Sequence, residues 1–384
     1  MKKTSCVAAL VASFLLLSLT ACTKPTDTPA KSNTNKDVDN AITENITTSV
    51  TWDGKDSSGN SLTYYINKEL YIKDGGHLTI TDGAIVKFGP NGMFTVSTNG
   101  AITAAGAKFT SYKDPDGRKI SAAPDANPAM GDWKQIDIRG GTGKFTSCKF
   151  YYGGKEECST LAVSQSTGKG RVDQCEFRYC DGTHAATQND VRGALRYTKD
   201  VTYNEDNNCV TNSVFKNNKW PLCIPAHFTL DGSNTFGLTD EDKNEYNFVH
   251  INSNSIKVET TWAKQTVPYL FAGSNRIAIQ NGGILTIQGS QDEDDPTLVC
   301  FATDGFEIQT GGSLKLSNYI TFSNRPGSET PFNGITCYIN GKYMLLIPNT
   351  SGTIKIENYQ PSSTYSNTDR QSEIQTTNTG TAKS

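Results

Sequence analysis

The sequence predicts an all-β solenoid, and three observations lead there. Short apolar-x-apolar pairs begin at Leu70, Leu78, Val86, Phe94 and Ile102, a spacing of eight residues. Glycine or asparagine falls between successive pairs, at Gly75-Gly76, Gly83, Gly92 and Asn99-Gly100. The whole unit then recurs later in the chain, Lys73-Asp74-Gly75-Gly76-His77-Leu78-Thr79-Ile80 matching Gln280-Asn281-Gly282-Gly283-Ile284-Leu285-Thr286-Ile287.

Each apolar-x-apolar pair reads as a short strand, because alternate side chains share one face. The intervening Gly and Asn tolerate the left-handed backbone of sharp turns. A step of eight residues leaves no room for a crossover helix. Three strands with their turns, about 24 residues, therefore close one coil, and coils stack by parallel pairing about 4.8 Å apart. Inward apolar positions then form ladders along the axis. The composition agrees: 35% hydrophobic residues with abundant Gly, Ser, Thr and Asn suits short strands and polar turns better than helices.

The match between the copies extends outward. Trp52 pairs with Trp262, Leu70-Tyr71-Ile72 with Ile277-Ala278-Ile279, and Val86-Lys87-Phe88 with Val299-Cys300-Phe301. Asn99-Gly100-Ala101-Ile102 pairs with Gly311-Gly312-Ser313-Leu314. These residues, together with Gly131-Asp132-Trp133 and Ile136-x-Ile138, resemble the right-handed parallel β-helix proteins of the pectin-lyase-like kind. The resemblance spans most of residues 52–322 and speaks to fold far more than to function. It implies a right-handed parallel β-helix with three short strands per coil and two related repeat units.

Between the copies the pattern loosens. Cys148-x-Phe150-x-Tyr152, Cys175-x-Phe177-x-Tyr179 and Ser213-x-Phe215-x-Asn217 align as successive coils. Insertions are expected as loops at residues 114–127, 153–170 and 181–191, since stacked strands cannot absorb extra chain. Val249-x-Ile251 and Ile256-x-Val258 lead into the second unit, and final strands are expected over 334–359, covering the open end of the stack. The predicted organisation is a leader over 1–21, a tether over 22–48, the first unit and middle coils over 49–260, the second unit and its cap over 261–360, and a disordered tail over 361–384.

The leader carries Lys2 and Lys3 before an apolar run from Val7 to Leu19, too short to span a bilayer and suited to a signal h-region. It ends in Leu19-Thr20-Ala21-Cys22, which resembles the lipobox of bacterial lipoproteins. The resemblance implies cleavage before Cys22 and acylation of that residue, hence a membrane partner through lipid and a place in the cell envelope, at the outer membrane or cell surface. The Thr-, Lys-, Pro- and Asn-rich stretch that follows lacks the apolar residues of a core and would reach about 25–30 Å as a flexible tether.

Eight of the ten cysteines lie beyond Cys22. Cys148 and Cys175 align in adjacent coils and read as a ladder of small buried thiols, with a bridge as the alternative. Cys158, Cys180, Cys209 and Cys223 lie near loops and are the better disulfide candidates. No Cys-x-x-Cys pair supports a zinc site.

A net charge of −3 gives no basic face for nucleic acid. No catalytic cluster is recognisable and no cofactor or metal is required. The acidic runs at Asp292–Asp295, Asp240–Asp242 and Asp114-Pro115-Asp116-Gly117 fit solvated turns better than calcium loops, although calcium stays open as a ligand. His227 and His250 have no acid at a telling spacing. Among the aromatics Trp133, Tyr151, Tyr152, Tyr179 and Tyr197, Tyr151 is the candidate ligand contact. It lies between Phe150 and Tyr152, both read as inward, so alternation turns it outward, where it could stack on a sugar. The leading expectation is a non-catalytic, lipid-anchored module that binds a polysaccharide or a surface protein. A polysaccharide lyase or glycoside hydrolase is the alternative, and it would need two carboxylates and a basic residue in one groove. A purely structural envelope component is a third reading.

Overall fold

The computed structural model describes residues 40–183, 191–273, 275–292, 294–302 and 305–324, and the strands Thr336–Ile339, Lys342–Leu345 and Thr353–Pro361. The leader, Cys22, most of the expected tether and the expected tail lie outside these residues. Every regular element among the described residues is a strand, and almost every pairing is parallel. The parallel sheets are consistent with a β-helix solenoid.

In the first half the chain visits three faces in turn. Ser49–Trp52, Thr63–Ile66 and Glu69–Ile72 start the first, second and third faces. His77–Ile80, Ile85–Phe88 and Met93–Ser97 then lie in register upon them. The predicted strands fall where the apolar pairs put them. Leu70 sits beside Phe94, Leu78 beside Ile102, and Val86 beside Phe109, all fully buried.

The second face carries the clearest ladder. Phe109, Phe150, Phe177, Phe215 and Phe236 occupy matching positions on successive strands. Their rings stack nearly parallel with centroids 5.0, 4.8, 5.0 and 5.2 Å apart. The strand spacing sets that separation, so each of the three inner rings packs between two others without leaving the register.

The turn residues act in two ways. Asn99 takes the left-handed conformation, with φ 64°. Its neighbour Gly100 is needed instead for close approach, since a Cβ there would lie 2.0 Å from the Ile72 carbonyl oxygen. At the inner corners, side chains satisfy amides that the strands leave behind. Ser213 Oγ accepts from the Cys175 amide at 3.1 Å, and Asn234 Oδ1 from Ser213 at 3.0 Å. Asn218 Oδ1 accepts from Cys180 and Asn244 Oδ1 from Asn218, at 3.1 and 3.0 Å. Buried amides are thereby paired where no strand neighbour exists.

Several expectations need revision. The ordered body begins before residue 49: the Ile42 amide donates to the Tyr65 carbonyl at 2.8 Å, and buried Ile46 pairs with Ile72. The stretch 153–170 is not one loop, because Leu161–Ser164 is a third-face strand between Ile136–Arg139 and Leu195–Tyr197. Its short run, with only Leu161 and Val163 pointing inward, offers little periodicity to read. The connection at 114–127 is a loop, as expected of an insertion between stacked strands.

The second copy of the repeat sits one face further round. Ile85–Phe88 belongs to the second face, yet its counterpart Thr297–Phe301 continues the third, with Val299 beside Tyr269 and Val249 beneath that. The second face ends at Thr235–Phe236, and the chain from Gly237 to Phe248 leads directly to the third-face strand Val249–Ile251. Similar sequence therefore does not mean the same face. Near the end, Thr336–Ile339 and Lys342–Leu345 pair antiparallel, and Thr353–Pro361 pairs along Ser313–Asn324, so added strands line the last sheet edges.

No disulfide joins the cysteines whose side chains are described. Cys158, Cys180, Cys209 and Cys223, the proposed disulfide candidates, are thiols. Their sulfurs lie against the carbonyls of Glu156, Phe150, Glu205 and Val191. Cys209 lies on the first face and Cys223 on the third, so these two do not meet.

Candidate functional site: the outward face around Tyr151

Because Phe109, Phe150 and Phe177 point inward, their neighbours point out. The outward positions form two columns, Lys108-Lys149-Glu176 and Lys87-Thr110-Tyr151-Arg178. Tyr151 is half-buried on this face. Its phenol donates to Glu176 Oε2 at 2.9 Å, and Lys108 Nζ lies 4.9 Å from its ring centroid. Glu176 also pairs with Arg178. Burial first, and then the Glu176 carboxylate, push the Tyr151 phenol far above its ordinary range. Trp133 fixes the backbone from beneath, its Nε1 donating to the Tyr151 carbonyl at 2.7 Å.

The loop that leaves Lys108–Ser111 walls one side of the patch. Lys108 Nζ bridges Asp114 Oδ2 at 2.7 Å and Asp116 Oδ2 at 2.6 Å, and Thr110 Oγ1 donates to Asp114 at 2.5 Å. Beneath the loop Lys87 is fully buried, and its ammonium donates to the carbonyls of Asp114 and Arg118 at 2.6 and 2.9 Å. Burial lowers the Lys87 pKa, and Asp114 opposes that shift. The turn at Asp114–Gly117, read from the sequence as solvated rather than as a calcium loop, is instead held by lysines, with Asp114 buried. Its two carboxylates are held by an ammonium, and among the described residues no cluster of His, Cys, Asp or Glu is arranged to hold a metal ion.

The other aromatic candidates separate. Tyr152 does not enter the core, as alternation suggested. The strand ends at Tyr151, Tyr152 takes φ 65°, and its ring stacks on Tyr179 at 5.3 Å. Both rings stand edge-on to Tyr151. Burial and the nearby Asp114 carboxylate push the Tyr152 phenol up to about 12. Trp133 and Tyr197 are fully buried, Trp133 stacked on Phe88 at 4.4 Å and Tyr197 donating to the carbonyls of Gly170 and Cys209. They are core, not ligand contacts. Trp262 is likewise core, stacked on Tyr269 at 5.2 Å.

The charged turns are taken up locally. Asp242 pairs with Lys216 at 2.8 Å, Asp240 with Lys243 at 2.6 Å and Asp295 with Lys264 at 2.8 Å. His227 bridges the carbonyls of Val201 and Ser255, and His250 lies beside Cys223 with Nδ1 3.7 Å from Sγ.

A second outward cluster lies on the third face. Thr95 Oγ1 donates to Glu69 Oε1 at 2.6 Å, and a hydrogen bond to Glu69 raises the Tyr71 phenol. Asp137 is paired in register with Thr95 and is only 5% exposed. Its Oδ2 accepts from Arg139 Nε at 2.8 Å and its Oδ1 from Ser164 Oγ at 2.6 Å. Two carboxylates, an arginine and three hydroxyls thus share one sheet face. Asp137 is the unspecified middle residue of Ile136-x-Ile138. Alternation alone turns it outward, but only the register brings Glu69 near.

The planar rings and fixed polar groups around Tyr151 suit a hydroxyl-rich ligand, which needs an apolar ring face with hydrogen-bonding groups beside it. No protein-family model matches this chain, and comparisons with curated proteins and with solved structures return no match.

Proposed function

We propose that this chain is a lipid-anchored cell-envelope protein of the right-handed parallel β-helix, pectin-lyase-like kind, and that it binds a polysaccharide along its outer faces without chemically altering it. The observation that carries this reading is the patch of Tyr151, Tyr152 and Tyr179 with Lys108, Glu176 and Arg178, built on a rigid sheet. Right-handed winding is the default for parallel crossovers, which supports the handedness. The lipobox-like Leu19-Thr20-Ala21-Cys22 supports anchoring at Cys22.

The test is a glycan array probed with the full chain in detergent. Retention of one glycan class by wild type, at least about tenfold weaker with Tyr151→Ala, supports the reading, a loss in line with the cost of one buried aromatic contact. No retention by wild type ends it. Anchoring is tested separately, by fatty-acid labelling that Cys22→Ala abolishes.

A second reading, a polysaccharide lyase or glycoside hydrolase, is favoured by one specific observation, the Glu69, Asp137 and Arg139 cluster. Two carboxylates and a cation on one face are the minimum for acid/base work on a glycosidic bond. Release of reducing or unsaturated ends from uronate polysaccharides, lost in Asp137→Asn, would move the assignment to this class.

A further inference from the structure

Cys148 and Cys175 hold equivalent places one strand apart. Phe150 is paired with Phe177 two residues further on in both cases, and the Glu176 amide donates to the Cys148 carbonyl at 2.8 Å. Both thiols are almost wholly buried. Cys175 Sγ reaches down to the Phe145 carbonyl at 3.5 Å, while Cys148 Sγ lies 3.4 Å from the carbonyl of the next residue, Thr146. The two sulfurs therefore converge over one strand end. In-register neighbours on parallel strands have the Cα separation that disulfides use. A hydrogen bond from Cys175 lowers the Cys148 pKa, while burial, and then Cys148 itself, drive the Cys175 pKa up.

Cys180, Cys209, Cys223 and Cys300 do not have a cysteine at the adjacent ladder position. Above Cys180 stands Asn218, and Cys209 pairs with Arg171. Cys223 and Cys300 share a column but are separated by His250 and Leu270.

We propose that Cys148 and Cys175 form a disulfide that locks two successive turns of chain together when the protein folds in the presence of a disulfide oxidant. The two thiols lose two protons and two electrons. The Cys148 thiolate attacks a sulfur of the oxidant RSSR, forming a mixed disulfide and expelling one RS⁻. The Cys175 thiolate then attacks Cys148 Sγ and expels the second RS⁻, so RSSR ends as two RSH. With both sulfurs buried, the exchange takes place before the core closes around them. The cross-link constrains the unfolded chain, and for a loop of this length the chain-entropy model favours the folded state by about 400-fold.

The full chain is denatured, then refolded with oxidised and reduced glutathione in one sample and with excess reductant in another. Each is alkylated under denaturing, non-reducing conditions and mapped by mass spectrometry. The expected result is a Cys148–Cys175 linked peptide in the first sample, about 2 Da lighter than the sum of its reduced halves, with Cys180 and Cys209 alkylated. Resistance to protease should fall on reduction in wild type, while in Cys148→Ala it should be insensitive to reduction. Alkylation of both Cys148 and Cys175 in the oxidised sample overturns the proposal, as does linkage of Cys175 to any other cysteine. If Cys148→Ala fails to fold, the wild-type map decides alone.

Discussion

Replacing Asp114 by Asn removes one charge from a group that is 4% exposed and keeps its shape. In the native protein that carboxylate receives Lys108 Nζ at 2.7 Å, Thr110 Oγ1 at 2.5 Å and the Asp116 amide at 2.8 Å. Its own carbonyl receives Lys87 Nζ. The variant leaves two ammonium groups under the loop, with only the exposed Asp116 as counter-charge. Stranding a buried charge costs about 3–5 kcal/mol, and the surviving Asp116 contact reduces this to about 2–3 kcal/mol. That corresponds to a roughly 30–150-fold larger population of the open loop. The loop contains Lys113, Arg118 and Lys119, so trypsin followed by mass spectrometry reads the opening directly. Cleavage tracks the open population when closing outruns cutting. Adding Lys108→Met to Asp114→Asn should recover most of the loss, because it removes one stranded charge. A rate change under about threefold, or no recovery in the double variant, would refute the charge-burial account.

Phe177 is fully buried between Phe150 and Phe215, so Phe177→Ala should cost about 3–5 kcal/mol, read as a fall in the urea midpoint, and Phe177→Leu distinctly less. The phenols of Tyr64 and Tyr152 are pushed up to about 12, chiefly by burial, so the unfolded chain ionises first. Stability should be complete below pH 10 and fall as pH rises from 10 towards 12, and Tyr152→Phe should flatten that fall in a circular-dichroism titration. A hydrogen bond from Lys216, then bonds from Thr239, hold Asp242 down to about 2. That tie should persist above pH 4 and be lost as pH falls from about 4 to 2, so that pepsin cuts the loosened segment around the already exposed Leu238 at pH 2 and not at pH 4. Lys216→Met should make the segment pepsin-sensitive at both.

Much of the strand layout was legible because its cause is local. Leu70, Leu78 and Val86 alternate with polar residues, and alternation needs no knowledge of distant chain. Leu161–Ser164 escaped notice because one apolar pair between glycine-rich stretches carries no period. Tyr151 could be turned outward by counting from Phe150, but Tyr152 could not be turned inward the same way. A left-handed residue at the strand end breaks the count. Of the outward cluster on the third face, Asp137 was readable in principle, while its proximity to Glu69 was not.

The amino-acid order by itself placed most of the short strands and their turns, showed a stretch of sequence used twice, and turned the apolar pairs inward. Both kinds of information lie within a few residues of backbone geometry. Folding decided which outward side chains become neighbours: Lys108 with Asp114 and Tyr151, Asp137 with Thr95, Cys175 with Cys148. Those neighbours depend on how much chain separates one strand from the next above it, and that length varies along the chain, from 24 residues between Glu69 and Met93 to 41 between Ala101 and Thr142. It also moved the second copy one face round, so that Thr297–Phe301 continues the third face while its counterpart Ile85–Phe88 lies in the second.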